Sequence, residues 1–128
     1  MVPHEACRAI GILLLEDEPS FRTGLAQMLR DDGHEVWDYA APAEVPSLSD
    51  LDGVAVAVTD YEMPGKNGLA FADEFHAQHP DVPVLLMTAY RKPSLAAQVL
   101  DRPYLRILQK PVDYEAIHAT IHEIARRA

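Results

Sequence analysis

The stretch Val54–Asp60 reads VAVAVTD, an apolar run that ends in an acid. A short apolar run of this kind is typical of a strand buried on both faces of a parallel sheet. Three other stretches have the same form: Ile12–Leu15 runs into Glu16-Asp17-Glu18, Val84–Met87 into Thr88, and Leu105–Gln109 into Lys110. If these strands are parallel, their polar ends meet at one edge of the sheet.

The segments between the strands show helical spacing of apolar residues. Ser20–Arg30 is the first predicted helix, and the last one follows Asp113, a good N-cap residue. Ala41–Asp52 is the exception, because Pro42 and Pro46 allow at most a short helix there. Five strands alternating with about five helices predict an α/β fold with a mostly parallel sheet covered on both faces.

Length and composition restrict the classes of function. The chain has 128 residues and 48% hydrophobic residues, which suits one globular domain; we expect residues 1–9 to be a flexible extension and 10–128 the domain. Twenty acids against 11 bases give a net charge of -9, which disfavours direct nucleic-acid binding. No apolar run approaches the roughly 18 residues of a membrane span. A cytoplasmic protein is the expectation.

The polar strand ends suggest phosphoryl chemistry. Glu16, Asp17 and Asp60 would bring carboxylates together, and their mutual repulsion would be relieved by a divalent cation such as Mg²⁺. A carboxylate beside Mg²⁺ and a lysine can act as a nucleophile and form an aspartyl phosphate. Lys110, the Thr88 hydroxyl and loop amides would then neutralise the charge on the phosphoryl oxygens.

The order and the amino-acid sequences of these segments resemble the receiver domain of two-component response regulators over about Ile12–Ala125. The matching segments are Leu14–Pro19, Thr59–Gly68, Pro83–Tyr90 and Gln109–Pro111. The resemblance implies a flavodoxin-like (βα)5 three-layer sandwich whose five-stranded parallel sheet has the order 2-1-3-4-5. In that order Asp17 and Asp60 face each other across the crevice between the first and third strands.

The resemblance also implies roles for individual residues. Asp60 would accept a phosphoryl group from a histidine kinase or a histidine phosphotransfer protein. The Mg²⁺ ligands would be Asp17, Asp60 and the backbone carbonyl of Glu62, with Glu16 acting through water. Lys110 would pair with the phosphoryl group, and we expect the Lys110–Pro111 bond to be cis, which turns the lysine toward the site. Thr88 would move to bond the phosphoryl group. The output would be a downstream protein target or a linked output domain, and the only catalysis would be the chain's own phosphorylation and dephosphorylation.

Two other functions are compatible with parts of the pattern. A haloacid-dehalogenase-like phosphatase also uses a nucleophilic Asp, Mg²⁺, Thr and Lys, but it needs an acid pair two residues apart after its first strand. A receiver that never takes phosphate would act as a constitutive adaptor. The intact set of Asp17, Asp60, Thr88 and Lys110 argues against the adaptor.

The sequence departs from the family pattern at a position that matters for switching. Position 107 is Ile, where family members often carry an aromatic that swings inward with the hydroxyl residue. A second feature is Glu62, whose side chain could face the phosphoryl group, and we hypothesise that it changes the dephosphorylation rate. His118 and His122 lie four residues apart on the last helix, and without an evident third ligand we expect them to be solvated.

We hypothesise that Tyr90, two residues after Thr88, gates the site or forms part of the output face in place of an aromatic at Ile107. Tyr90→Ala should therefore weaken phosphorylation-dependent partner binding more than Ile107→Ala does. Partner binding measured with and without phosphodonor checks this, and an unchanged Tyr90→Ala protein would refute it.

Overall fold

A computed structural model describes residues 9–47, 51–89 and 93–127. Five strands form one all-parallel sheet in the order β2-β1-β3-β4-β5. Their bounds are β1 Gly11–Leu15, β2 Glu35–Tyr39, β3 Val56–Asp60, β4 Val84–Thr88 and β5 Leu105–Gln109. The predicted strand order is therefore confirmed, whereas the first eight residues of the expected extension and Tyr90 lie outside the described residues.

Helices cover both faces of the sheet. They are α1 Pro19–Asp31, α2 Gly68–Gln78, α3 Pro93–Leu100 and α4 Tyr114–Arg127. Alternate residues of β1 point to opposite faces, so Ile12 joins the core under α1 and α4, while Leu13 joins the core under α2. The result is the predicted three-layer sandwich. Within the described ranges, no helix is both long and apolar enough to cross a membrane.

The connection between β2 and β3 differs from the expected (βα)5 pattern. Its described part carries a single 3-10 turn, Pro42–Glu44, in place of an α-helix. Proline fixes its own φ and disfavours the helical region for the residue before it. Val45, which precedes Pro46, accordingly has an extended backbone at φ -73° and ψ 134°. The described residues thus hold four α-helices, where about five were expected.

Side-chain caps fix where the helices begin after the strand-end loops. Glu18 accepts the Phe21 N–H at 2.6 Å at the start of α1, and Asp113 accepts the Ala116 N–H at 2.8 Å at the start of α4. Gly33 has φ +96° just after α1, the left-handed conformation that commonly ends a helix. These caps set the positions of the loops that carry Glu16 and Lys110.

Gly68 begins α2 at a point where the chain passes close to the end of β3. Its N–H donates to the Tyr61 carbonyl at 2.7 Å. A Cβ at this position would overlap the Asp60 carbonyl oxygen and lie 2.8 Å from Leu86 Cδ1. The backbone of Asp60 therefore keeps its place only if residue 68 has no side chain.

We predict that Gly68→Ala destabilises the fold by about 1–3 kcal/mol, the usual cost of overpacking, because the new methyl pushes on the Asp60 backbone. Gly24→Ala is the matched control, since Gly24 lies inside α1 and a methyl added there would meet nothing within 4 Å. Denaturant unfolding of both variants checks this; Gly24→Ala should be neutral or up to about 1 kcal/mol more stable. Equal stability of the two variants would contradict the prediction.

Candidate functional site

The parallel register brings the predicted site residues to one edge of the sheet. Asp60 is the last residue of β3 and is paired with Met87, one residue before Thr88 at the end of β4. Thr88 is in turn paired with Gln109, one residue before Lys110. Because Leu15 is paired with Thr59, Glu16 follows β1 beside Asp60. Four separate strand ends therefore meet as the sequence predicted.

Lys110 makes the central ion pair of the site. Its Nζ lies 2.6 Å from Asp60 Oδ1 and 3.3 Å from Glu16 Oε1. Its backbone N–H donates to the Thr88 carbonyl at 2.8 Å, and the Phe21 ring centroid lies 5.3 Å from Nζ. The Lys110–Pro111 peptide bond is cis, as predicted. Both side-chain and backbone contacts thus hold the ammonium group against the carboxylates.

Three carboxylates converge opposite this lysine. Oxygens of Glu16, Asp17 and Asp60 all lie within 4.8 Å of one another. Glu16 and Asp60 are buried, at 1% and 5% exposure, whereas Asp17 is open to solvent. Hard oxygen donors with one open side are the ligand set that suits Mg²⁺, which keeps part of its water shell. The donor set therefore fits the predicted cation.

Burial dominates the electrostatics of this cluster. It raises the pKa of the Asp60 carboxyl, and the negative charges of Asp17 and Glu62 raise it further. The hydrogen bond and charge of Lys110 lower this pKa, but the net shift is upward. Burial likewise raises the pKa of Glu16. Burial lowers the pKa of Lys110, but its contacts with Asp60 and Glu16 outweigh that effect and the pKa is raised overall. The site holds more negative charge than Lys110 balances.

Glu16 and its loop are more tightly held than the sequence indicated. Glu16 Oε2 accepts the Glu18 N–H at 3.0 Å, and Arg22 Nη1 donates to the Glu16 carbonyl at 2.9 Å. Arg22 also lies 3.4 Å from Asp38 at the end of β2. Sequence reasoning missed Arg22; the available signal was its position one helical turn after Glu18. Arg22 fixes the loop from which Glu16 and Asp17 project.

Of the residues proposed for switching, Thr88 and Ile107 lie within the described part of the chain and Tyr90 does not. Thr88 is 2% exposed, and Ile107 is half-buried against the core on the α2 side of the sheet. Tyr104 lies three residues before Ile107, and its hydroxyl donates to Asp73 while its ring stacks on His76 at a centroid distance of 3.9 Å. The switching role of Tyr90 stays a prediction. Glu62 is exposed, and its carbonyl ligand role is likewise untested.

The expectation that His118 and His122 are solvated is wrong. Both are half-buried, and His118 Nε2 lies 3.1 Å from His122 Nε2 and 2.9 Å from His34 Nε2. Burial, followed by the proximity of His118 and His122, lowers the pKa of His34. The third partner was missed because His34 is 84 residues from His118 and no local pattern connects them.

Known proteins share both the sequence pattern and this architecture. The family described as response regulator receiver domain matches residues 12–122. The phosphoglycerate transport system transcriptional regulatory protein PgtA of Salmonella typhimurium is 28% identical over 91% of this chain and 28% of its own length. The transcriptional regulatory protein PdtaR of Mycobacterium tuberculosis is 31% identical over 78% of this chain and 49% of its own length. The chain thus spans half or less of these relatives.

Solved structures agree on the fold. A response regulator receiver domain protein from Clostridium thermocellum superposes with a TM-score of 0.83 at 22% identity, covering 92% of this chain and 95% of that one. At this identity the likeness concerns the fold alone. It supports the three-layer arrangement that places the acidic cluster and Lys110 at the carboxyl ends of the strands.

We predict that Asp60→Asn stabilises the fold at pH 7. The folded-state pKa of Asp60 is raised above its ordinary value of 3.8, so the folded state is favoured while the carboxyl is protonated and loses that stability as pH rises through the folded pKa. The melting temperature should rise by roughly 2–8 °C, the range for a change of about 1 kcal/mol.

Thermal unfolding across pH checks this prediction, in metal-free buffer. The advantage of Asp60→Asn should shrink as pH falls through the folded pKa, because the wild-type carboxyl then takes up its proton. Asp81→Asn, which removes an exposed acid away from the cluster, controls for the change in net charge. Equal melting temperatures of Asp60→Asn and Asp81→Asn at pH 7 would contradict it.

Proposed function

We propose that this chain, which belongs to the family of response regulator receiver domains of two-component systems, takes up a phosphoryl group on Asp60. The observation that carries the proposal is the contact of 2.6 Å between Asp60 Oδ1 and Lys110 Nζ, inside a cluster of three carboxylates. Because the chain belongs to the receiver-domain family, we no longer propose the dehalogenase-like phosphatase. The non-phosphorylated adaptor remains open to the test below.

The reaction is a phosphoryl transfer between two nucleophiles. The N–P bond of a phosphohistidine on a histidine kinase or phosphotransfer protein breaks, and an O–P bond forms on the Asp60 carboxylate, while the histidine nitrogen leaves with the electron pair. The attacking group is the ionised carboxylate. Lys110 favours that form of Asp60 by direct contact and stays within reach of the incoming phosphoryl oxygens.

Mg²⁺ would be held by Asp17 and Asp60, with Glu16 acting through water, and when bound it would supply positive charge for the phosphoryl oxygens. The chain's own residues give a reason for the proposed cation. Glu16, Asp17 and Asp60 repel an incoming phosphate, and Lys110 offsets part of that charge. The backbone carbonyl of Glu62 is the further proposed ligand.

The signal would leave the site through Thr88. Thr88 is buried at the end of β4, and its carbonyl accepts the Lys110 N–H at 2.8 Å, so the two residues are coupled through the backbone. A phosphoryl group on Asp60 would add negative charge and oxygen acceptors beside the end of β4, and the Thr88 hydroxyl would move to bond it. We propose that the movement reaches a surface formed by α3, β5 and α4, where a protein target or a linked output domain would read it.

The test is labelling of the purified chain by a small phosphodonor in the presence of Mg²⁺. Wild type should gain the mass of one phosphoryl group, and Asp60→Asn should not. Removal of Mg²⁺ by a chelator should abolish labelling, and Lys110→Ala should reduce it at least about tenfold because the ammonium contact is lost. Equal labelling of wild type and Asp60→Asn would reject the proposal, and no labelling of either would favour the adaptor.

The same labelled proteins test the role of Glu62. Its carboxylate would repel or orient the attacking water beside phospho-Asp60, and it adds to the negative field at Asp60. Glu62→Asn should therefore label normally but lose the phosphoryl group at a different rate. Equal decay rates for the two proteins would remove Glu62 from the mechanism.

A further inference from the structure

A cluster of three histidines lies apart from the carboxylate site. His34 precedes β2, and His118 and His122 are on successive turns of α4. His34 Nε2 lies 2.9 Å from His118 Nε2, His122 Nε2 lies 3.1 Å from the same atom, and the three rings keep ligand atoms within 4.8 Å of one another. His34 is 5% exposed, while His118 and His122 are half-buried.

If all three rings are neutral, their ring nitrogens cannot all form good hydrogen bonds with one another. The Ile10 N–H donates to His34 Nδ1 at 3.1 Å, so the ring proton of neutral His34 is on Nε2 and points to His118 Nε2. His118 Nε2 must then accept with its one in-plane lone pair. His122 Nε2 approaches the same nitrogen, so two ring nitrogens compete for a single lone pair.

We propose that His34, His118 and His122 form a binding site for a transition-metal dication of the Zn²⁺ class. The i, i+4 spacing on α4 presents two imidazoles on one helix face, which is the spacing that binds zinc in helical motifs. With Zn–N bonds of roughly 2.0–2.1 Å, tetrahedral ligand nitrogens lie about 3.3 Å apart. The two separations at His118, 2.9 and 3.1 Å, therefore need to widen by only a few tenths of an ångström, and the ligand atoms of His34 and His122 lie within 4.8 Å of each other.

A fourth ligand position has a candidate of its own. Asp32 Oδ2 lies 3.9 Å from His118 Nε2 and accepts the Tyr114 hydroxyl at 2.5 Å. The Tyr114 ring stacks on His118 with a centroid distance of 5.3 Å, which orients both groups. Asp32 or water would complete four-coordination. Nitrogen donors select Zn²⁺, Co²⁺, Ni²⁺ or Cu²⁺ over Mg²⁺, so this site and the carboxylate site take different ions.

Metal binding would change a defined contact. Coordination through His34 Nε2 moves the ring proton to Nδ1, so the Ile10 N–H must turn away from His34. In exchange, the ion joins the start of β2 to α4, segments 84 residues apart in sequence. Binding to the folded chain alone would then raise its thermal stability. This proposal does not depend on phosphorylation of Asp60.

The test titrates the full chain, freed of metal by a chelator, with Zn²⁺ and with Co²⁺ as a spectroscopic probe. Asp60→Asn is the background, because it weakens competing binding at the carboxylates. One Zn²⁺ should bind and raise the melting temperature. Co²⁺ should give the visible bands of a four-coordinate, nitrogen-rich site, and Zn²⁺ should bleach them.

Single substitutions identify the ligands. His122→Ala, at a half-buried position, removes a direct ligand. It should weaken Zn²⁺ binding by at least roughly 10–100-fold, the loss seen when a residue that only hydrogen-bonds to a metal ligand is removed. His79→Ala removes a histidine outside the cluster and should bind as the background does. Circular dichroism confirms that each variant is folded. Absence of Zn²⁺ binding at micromolar concentrations, or equal affinities of His122→Ala and His79→Ala, would overturn the proposal.

Discussion

The ion pair between Lys110 and Asp60 depends on the alignment of the whole sheet. Asp60 ends β3 and Lys110 follows β5, with β4 between them, so Lys110 Nζ reaches Asp60 Oδ1 at 2.6 Å only while all three strands keep their register. A slip of one residue would turn every side chain of a strand to the opposite face. Because β3 and β4 are buried on both faces, such a slip would repack every side chain in two closely packed cores and would move the charged strand ends, so side-chain packing holds the geometry of the charged site.

The site also carries unbalanced charge, since three carboxylates face one lysine. Two of its carboxylates are buried, and burial raises the pKa values of both Asp60 and Glu16 despite their contacts with Lys110. Such a cluster costs stability when it is ionised, and it gains from any positive charge that enters. The same imbalance accounts for the proposed need for Mg²⁺. It also means that a change of charge at Asp60 alters the forces on Lys110 and, through the backbone, on Thr88.

The sequence was sufficient to predict the parallel sheet and the meeting of Asp60, Thr88 and Lys110, because apolar runs that end in polar residues are a local pattern. It was not sufficient for the connection after β2, where the prolines of one short segment leave a 3-10 turn in the described residues. His34 was missed for a different reason. Its contact with His118 comes from the packing of α4 beside the turn before β2, which no periodicity records.

The position of the phosphoryl group on the chain tests the central claim most directly. An acyl phosphate is reduced by borohydride, which leaves a stable mass change on the residue that carried it. After labelling with a phosphodonor and Mg²⁺, peptide mass spectrometry should place that change on Asp60 alone. A modified residue elsewhere, with Asp60 intact, would contradict the account.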